Sequence, residues 1–202
     1  TYIKNKIKMQ VSAIVVDDFY NDVDAVREMA LGMEFGVRGN YPGQRTVQVY
    51  NEGVKNLIQA IISPYAGKIT AWEQYEYTGA FQYTTQRDRS WIHADQTTKW
   101  AGVCYLTPDA PLSGGTGLFR HKATGWTTAP RKDDGSYNEE GLALIGQDSQ
   151  DMTKWEMTNF VGNVYNRLIL YPGDLFHTSL DYFGKDMYDG RLFQTFFLDT
   201  QH

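Results

Sequence analysis

The chain has 202 residues, which is enough for one domain with a sizeable hydrophobic core, and its formal net charge is −5. This acidic balance disfavours nucleic acid as a partner, because a sequence-independent nucleic-acid binder needs a basic surface. There is also no apolar run of about 18 residues, so neither a membrane-spanning helix nor a membrane partner is expected.

The chain contains a single cysteine, Cys104. An intramolecular disulfide is therefore impossible, which favours a reducing compartment. Cys104 lies in an apolar run, residues 101–106, and we predict that it is a small buried residue. Residues 1–6 contain no apolar segment typical of a signal peptide, so we predict a cytoplasmic protein.

The first part of the chain predicts one strand and two helices. Residues 11–16 form an apolar run typical of a strand. Asp22 is a good helix N-cap, and the apolar positions that follow it fall on one helical face. Residues 54–62 predict a second helix that Pro64 should end. We assign residues 1–68 to an N-terminal strand and supporting helices of one domain spanning 1–202.

From residue 69 onward the hydrophobic pattern shifts towards a period of two, which predicts strands. The candidate strands are residues 70–78, 80–85, 99–106, 168–171 and 192–198. Many short strands separated by Gly and Pro turns indicate a sandwich or barrel, so the predicted fold is mainly β with flanking helices.

A polar stretch, about residues 127–162, is predicted to be an insertion that leaves the sheet. A short helix over residues 148–157 is expected within it. A loop of this length is unusual in a compact domain. Two interpretations stay open, a solvated excursion and a lid over a site.

Three residues have the chemistry of a metal site. His93 and Asp95 are two apart, so in an extended segment their side chains point to the same face. His177 follows an apolar strand and a turn. Two histidines and one carboxylate make the facial triad of non-haem Fe(II) oxygenases, which leaves coordination positions open. A His-X-Asp triplet is also common by chance. His121, with its basic neighbours, is expected at the surface or at a cavity mouth, and the terminal His202 is expected to fray.

The order of short motifs along the chain is more specific than any one of them. They are Phe81-Gln-Tyr83, His93-Ala-Asp95, Tyr105-Leu-Thr, Gly114-Gly-Thr-Gly-Leu-Phe119, the run from Arg167 to His177, and the run from Arg191 to Leu198. In this order they resemble the prolyl 4-hydroxylase-like branch of the 2-oxoglutarate/Fe(II)-dependent dioxygenase superfamily. The resemblance covers roughly half of the chain and implies a double-stranded β-helix, the jelly-roll or cupin-like barrel.

The resemblance also implies a set of roles. His93, Asp95 and His177 would bind Fe(II). Arg191 would bind the distal carboxylate of 2-oxoglutarate, since a guanidinium can donate two parallel hydrogen bonds to a carboxylate. Tyr105 and Thr195 would contribute hydroxyl groups to the same pocket, and Tyr83 would line it nearer the metal. Dioxygen is the implied oxidant, with ascorbate as an optional reductant.

The implied activity is hydroxylation of an unactivated C–H bond in a small molecule or a peptide, with peptidyl proline or another amino-acid residue as the first expectation. The loop between His177 and Arg191 is longer than in many prolyl hydroxylases, which leaves the substrate open. The alternatives are a non-redox, cupin-type jelly-roll protein that binds a metal or small molecule, and a structural protein that keeps a relic barrel. The sequence predicts no oligomeric state.

Overall fold

The computed structural model describes residues 10–201. The signal-peptide interpretation of residues 1–6 and the prediction for His202 therefore lie outside the described residues. Within residues 10–201, no helix combines the length and the apolar composition needed to span a bilayer. The described residues contain three α-helices: α1 (Val23–Leu31), α2 (Glu52–Ala66) and α3 (Glu139–Asp148). Ten strands accompany them: β1 (Ile14–Val16), β2 (Gln44–Arg45), β3 (Lys68–Ala71), β4 (Phe81–Thr84), β5 (Trp100–Tyr105), β6 (Thr116–His121), β7 (Trp155–Val161), β8 (Leu168–Pro172), β9 (His177–Ser179) and β10 (Arg191–Gln201).

The described strands form two antiparallel sheets. The larger has the order β1-β8-β5-β10-β4-β2, with β3 also paired to β10. The smaller has the order β7-β6-β9, and an isolated bridge between His93 and His177 extends it beyond β9. The prediction of a mainly β fold with helices is confirmed. In the described part of the chain the strands remain two open sheets.

The larger sheet is covered on both faces, so its central strand β5 is buried along its whole length. Alternate residues of a strand point to opposite faces. Val103 and Tyr105 face the smaller sheet and pack in a cluster with Leu118. Trp100 and Cys104 face the other way and pack with residues of α2, such as Ile58. Cys104 is fully buried, as predicted, and burial raises the pKa of its thiol.

Helix α1 begins after Asp22, as predicted, whereas α2 begins at Glu52, two residues before the predicted start at residue 54. The side chains of Asp22 and Asn51 accept hydrogen bonds from the first-turn N–H groups of α1 and α2. The prediction that Pro64 ends α2 is wrong, because the helix continues to Ala66. Proline cannot donate to the carbonyl one turn back, but here the Ser63 hydroxyl donates to Ala60 O at 3.4 Å. Gly67, with φ of +78°, ends the helix instead.

Two other element predictions are corrected. The strand expected over residues 70–78 stops at Ala71. Turns follow it, with hydrogen bonds from Tyr75 N to Trp72 O and from Thr78 N to Tyr75 O. The helix expected over residues 148–157 lies earlier, as α3, and β7 occupies the end of the supposed insertion. β7 is a full member of the smaller sheet, paired with β6.

His121 anchors α3 and does not lie at the surface or at a cavity mouth. Its side chain is fully buried, and its Nε2 lies 2.9 Å from Asp148 Oδ2 at the end of α3. The indole N–H of Trp155 donates to the Asp148 carbonyl at 2.9 Å. A β-bulge opposite Leu118 and Phe119 leaves Thr158 of β7 unpaired, and beyond it His121 pairs with Trp155, whose ring lies 4.9 Å from the imidazole.

Candidate metal centre and its cavity

The three predicted ligands meet because two distant segments pair as strands. The backbone N–H of His93 donates to His177 O at 3.1 Å, and the N–H of His177 donates to His93 O at 2.8 Å. Residues paired in this way are direct cross-strand neighbours, so their side chains share a face. The two imidazole rings lie 4.5 Å apart between centroids. Asp95 is held by a hydrogen bond from its own N–H to Gly173 O at 2.7 Å.

The candidate ligand atoms of these side chains lie within 4.8 Å of one another. His177 Nε2 is 3.4 Å from Asp95 Oδ2, and His93 Nε2 is 3.9 Å from Asp95 Oδ1. The geometry thus directs two imidazole nitrogens and one carboxylate to a common point.

Backbone carbonyls select the tautomer of both imidazoles. His93 Nδ1 lies 2.9 Å from Trp91 O, and His177 Nδ1 lies 2.8 Å from Leu175 O. A carbonyl oxygen only accepts, so each Nδ1 carries the proton and each Nε2 keeps its lone pair for a metal. Such outer hydrogen bonds are the usual means of orienting a histidine ligand.

The charges of the centre also suit a cation. Burial, together with the neighbouring His177, lowers the pKa of His93 to about 4, which keeps that imidazole neutral at physiological pH. Burial by itself would raise the pKa of Asp95, but the neighbouring His177 side chain, with contributions from His93 and Arg45, lowers it overall. Two imidazole nitrogens and one carboxylate are the donors of a 2-His-1-carboxylate site, so these residues fit Fe(II).

The centre opens into a cavity of about 830 Å³, whose lining includes Arg191 and Thr195. Arg191 is only 2% exposed, and its Nε–H donates to Gly114 O at 2.8 Å. Its guanidinium lies 4.4 Å from the ring of Phe193 and 5.3 Å from that of Tyr105. Among the described residues it has no carboxylate partner. The cavity therefore contains a buried cation able to receive an anionic ligand.

Tyr105 and Thr195 lie near Arg191, but their hydroxyl groups also make hydrogen bonds within the protein. The Tyr105 phenol, fully buried, is 2.7 Å from Thr116 Oγ1, and Thr116 lines the cavity. The Thr195 hydroxyl donates to Tyr77 O at 2.6 Å. The proton of the Thr195 hydroxyl is thus engaged, so in this arrangement the hydroxyl can accept a hydrogen bond but cannot donate one to a carboxylate.

Residues 3–198 match a protein family described as "Family of unknown function (DUF6445)". The chain belongs to the DUF6445 family. A search of proteins of curated function found no match to this DUF6445 sequence.

Solved structures share the fold of this DUF6445 protein at low sequence identity. HygX from Streptomyces hygroscopicus, with nickel and 2-oxoglutarate bound, is 10% identical with a TM-score of 0.62, covering 94% of this chain and 83% of HygX. HygX with nickel, 2-oxoglutarate and hygromycin B bound has the same identity and coverage, with a TM-score of 0.58. A prolyl hydroxylase from Trichoplax adhaerens, in complex with a peptide fragment of hypoxia inducible factor, is 12% identical with a TM-score of 0.50, covering 93% of this chain and 84% of the other.

Two predicted site residues of the DUF6445 chain are not among those that line the cavity: Tyr105, which is fully buried beside Arg191, and Tyr83. Tyr83 pairs across the sheet with Leu192 and packs on Phe35, with ring centroids 5.0 Å apart, on the face that carries the helices. Its neighbour Gln82 points to the other face and lines the cavity. The expectation that Tyr83 lines the pocket is therefore corrected, and Gln82 takes that place.

The sequence analysis did not single out Arg45. This residue of β2 is 5% exposed and lines the same cavity as the three candidate ligands. It donates to the side chain of Gln82 on the neighbouring strand β4. Its only sequence signal is an arginine next to a Tyr-Pro-Gly turn, a pattern that predicts a surface loop equally well.

Proposed function

We propose that this protein is an Fe(II)- and 2-oxoglutarate-dependent oxygenase that hydroxylates an unactivated C–H bond. The observation that carries the proposal is the meeting of His93, Asp95 and His177 in a cavity that also holds the buried guanidinium of Arg191. A metal site alone would suit many proteins. The pairing of that site with a buried cation lacking a carboxylate partner suits a cosubstrate that chelates a metal at one end and carries a carboxylate at the other.

We also propose that the core from residue 69 onward is a jelly roll. Eight successive extended segments alternate between the two sheets, except that β6 and β7 are consecutive in the smaller one. The larger sheet holds β4, β5, β8 and β10, and the smaller holds the His93 segment, β6, β7 and β9. Two facing sheets of antiparallel strands with such crossovers are typical of a jelly roll. The similarity to HygX, which was crystallised with nickel and 2-oxoglutarate, supports this fold.

In this proposal each residue has a defined task. The Nε2 atoms of His93 and His177 and the Asp95 carboxylate hold the metal. Arg191 binds the distal carboxylate of 2-oxoglutarate, with Tyr105 and Thr195 beside it. Bound Fe(II) would supply the activation of dioxygen, with 2-oxoglutarate oxidised to succinate and carbon dioxide as a substrate C–H bond is hydroxylated. Phe193 and Val103 would supply apolar surface beside these groups.

A peptidyl proline or another amino-acid residue is the substrate that the motif resemblance favours, and ascorbate would be an optional reductant. The test is release of succinate from 2-oxoglutarate in the presence of Fe(II), screened with peptide, amino-acid and nucleoside pools. At least one pool should stimulate release by the native protein, and the Asp95→Ala variant should release none above background. Equal release by Asp95→Ala, or no stimulation by any pool, would contradict the proposal.

A further inference from the structure

Arg45 is a second buried cation in the cavity of the metal centre. Its Nε–H donates to Gln82 Oε1 at 2.9 Å, and its Nη2 donates to the same oxygen. Its guanidinium carbon lies 3.7 Å from the ring centroid of Tyr41 and 4.4 Å from that of Tyr77. These two rings are inclined at 78° with centroids 5.4 Å apart, so the guanidinium occupies the corner between them.

No carboxylate of the described residues forms an ion pair with Arg45. The two tyrosine rings offset part of the cost of burying its charge through cation–π attraction. Burial lowers the pKa of Arg45 to about 10, which still leaves the side chain charged at neutral pH. The nearby charges of Asp95 and Glu76 favour the charged form of Arg45, but neither carboxylate forms an ion pair with it. A buried charge without a directly paired counter-charge is costly to a fold, so its presence in a cavity points to an anion that binds there.

The surroundings hold Arg45 in one orientation. The Gln82 amide that receives its hydrogen bonds is itself fixed, because its Nε2 donates to Pro42 O at 2.6 Å. The Tyr41 hydroxyl donates to Val37 O at 2.6 Å, and Val37 N donates to Arg45 O at 3.0 Å. A positioned cation of this kind loses little conformational entropy when it binds a ligand.

The metal centre and Arg191 together suffice for the two carboxylates of 2-oxoglutarate. In the proposed function one carboxylate of 2-oxoglutarate lies at the metal and the other at Arg191, which leaves Arg45 without a task. Gln82 occupies Nε and Nη2 of Arg45, and Nη1 has no hydrogen-bond partner among the described residues. We propose that Arg45 binds a carboxylate of the primary substrate, so that the substrate class is a small organic acid. This inference rests on the proposed function.

An acid of this class would present a C–H bond to the metal while its carboxylate is held at Arg45. An amino-acid substrate would then be a free or C-terminal residue, or one with an acidic side chain, in preference to an internal proline. A phosphate ester would satisfy the same charge but is not the class we propose.

The test compares acids with their own amides. The protein loaded with Fe(II) and 2-oxoglutarate is titrated calorimetrically, without oxygen, with matched pairs such as N-acetyl amino acids and N-acetyl amino-acid amides, short hydroxy acids and their amides, and phosphate monoesters. At least one acid should bind about tenfold or more tightly than its amide, as expected for a charge-assisted hydrogen bond. Arg45→Met should abolish that preference and change the affinity for 2-oxoglutarate less than about twofold, within the scatter of an uncoupled site.

A second variant covers the case in which Arg45→Met fails to fold. Gln82→Glu keeps the volume of the side chain and gives Arg45 an internal carboxylate, so the preference for acids should disappear. Because this variant also loses the hydrogen bond to Pro42 O, its melting temperature is measured alongside to show that it folds. The proposal is overturned if no acid exceeds its amide, if a phosphate ester is preferred, if either folded variant keeps the acid preference, or if Arg45→Met loses 2-oxoglutarate instead. Failure of the proposed function is seen separately, as absence of 2-oxoglutarate binding by the native Fe(II)-loaded protein.

Discussion

At the scale of single residues, Asp95 is the one anionic ligand of the candidate centre. Asp95→Asn keeps the shape of the side chain but removes the charge that holds a dication. We expect metal affinity to fall by at least about 100-fold, the upper end of the loss seen when only an outer-shell partner is removed. Calorimetric titration with Fe(II) under anaerobic conditions measures this. Asp133→Asn, in an exposed loop, is the matched control and should bind like the native protein.

Replacement of Arg191 should weaken the binding of 2-oxoglutarate and leave the binding of the metal unchanged. Arg191→Met keeps an apolar stem against Phe193 and removes the cation. We expect the affinity for 2-oxoglutarate to fall about 10- to 100-fold, since hydrogen bonds to charged groups contribute about 1.5–3 kcal/mol. Metal affinity should stay within about twofold of native, as for an uncoupled site. Arg120→Met removes an exposed arginine paired with Glu156 and serves as control. Unchanged 2-oxoglutarate affinity in Arg191→Met would refute the assignment.

The residue-scale predictions differ in outcome for physical reasons. His93 and Asp95 could be placed on one face because they are two apart in an extended segment, and that geometry is local. The face of Tyr83 could not be predicted, because every residue of β4 is buried or half-buried. A period of two separates the two faces of a strand but does not show which of them carries the cavity. The place of Arg45 in the cavity could not be predicted, because its two tyrosine partners lie far apart in the sequence and only the fold brings them together.

At the scale of elements, the link between His121 and Asp148 fixes α3 to the smaller sheet. His121→Ala removes the ring from a fully buried position and leaves Asp148 without its partner. We expect the free energy of unfolding to fall by about 2 kcal/mol and amide exchange in α3 to accelerate, while metal affinity stays native. Hydrogen–deuterium exchange measures the acceleration of amide exchange in α3 directly. If α3 keeps its native protection in His121→Ala, another contact holds the helix.

Two elements were predicted wrongly for the same reason: α3, whose helix was expected later in the chain, and β7, which was expected to be part of an insertion. α3 had a usable signal, since the side chain of Asn138 caps it and Glu139 and Glu140 occupy its first turn. The polar composition of this stretch instead favoured an insertion that leaves the sheet. β7 exposes most of its residues, so it lacked the apolar alternation of a strand. In both cases pairing or anchoring to distant residues decides the structure, and such contacts leave little local trace.

At the scale of the whole molecule, ligands that bind only the folded chain should raise its melting temperature. A ligand at 100 times its dissociation constant contributes about 2.7 kcal/mol, which for a chain of this size is a shift of about 5–11 °C. We expect such a shift with nickel(II), and a further one on adding 2-oxoglutarate, by differential scanning fluorimetry. Asp95→Asn should lose both shifts, and Arg191→Met only the second. A 2-oxoglutarate shift without metal would argue against the chelate.

The overall architecture was the most predictable level. Short strands, Gly and Pro turns and the order of motifs predicted a mainly β fold, because strand periodicity and turn chemistry are properties of neighbouring residues. The cavity was not predictable in the same way, since part of its wall comes from the loops around Tyr41 and Tyr77, which follow no regular pattern. In the proposed function those loops would help to select the substrate.

The most direct test of the central claim is an anaerobic titration of the Fe(II)-loaded protein with 2-oxoglutarate, followed by visible absorption. If His93, Asp95 and His177 hold one iron beside Arg191, a charge-transfer band characteristic of the Fe(II)–2-oxoglutarate chelate should grow and saturate at one equivalent per chain. The same titration of Asp95→Asn should give no band. A native protein that binds iron but gives no band at saturating 2-oxoglutarate, or an equal band in Asp95→Asn, would contradict the account.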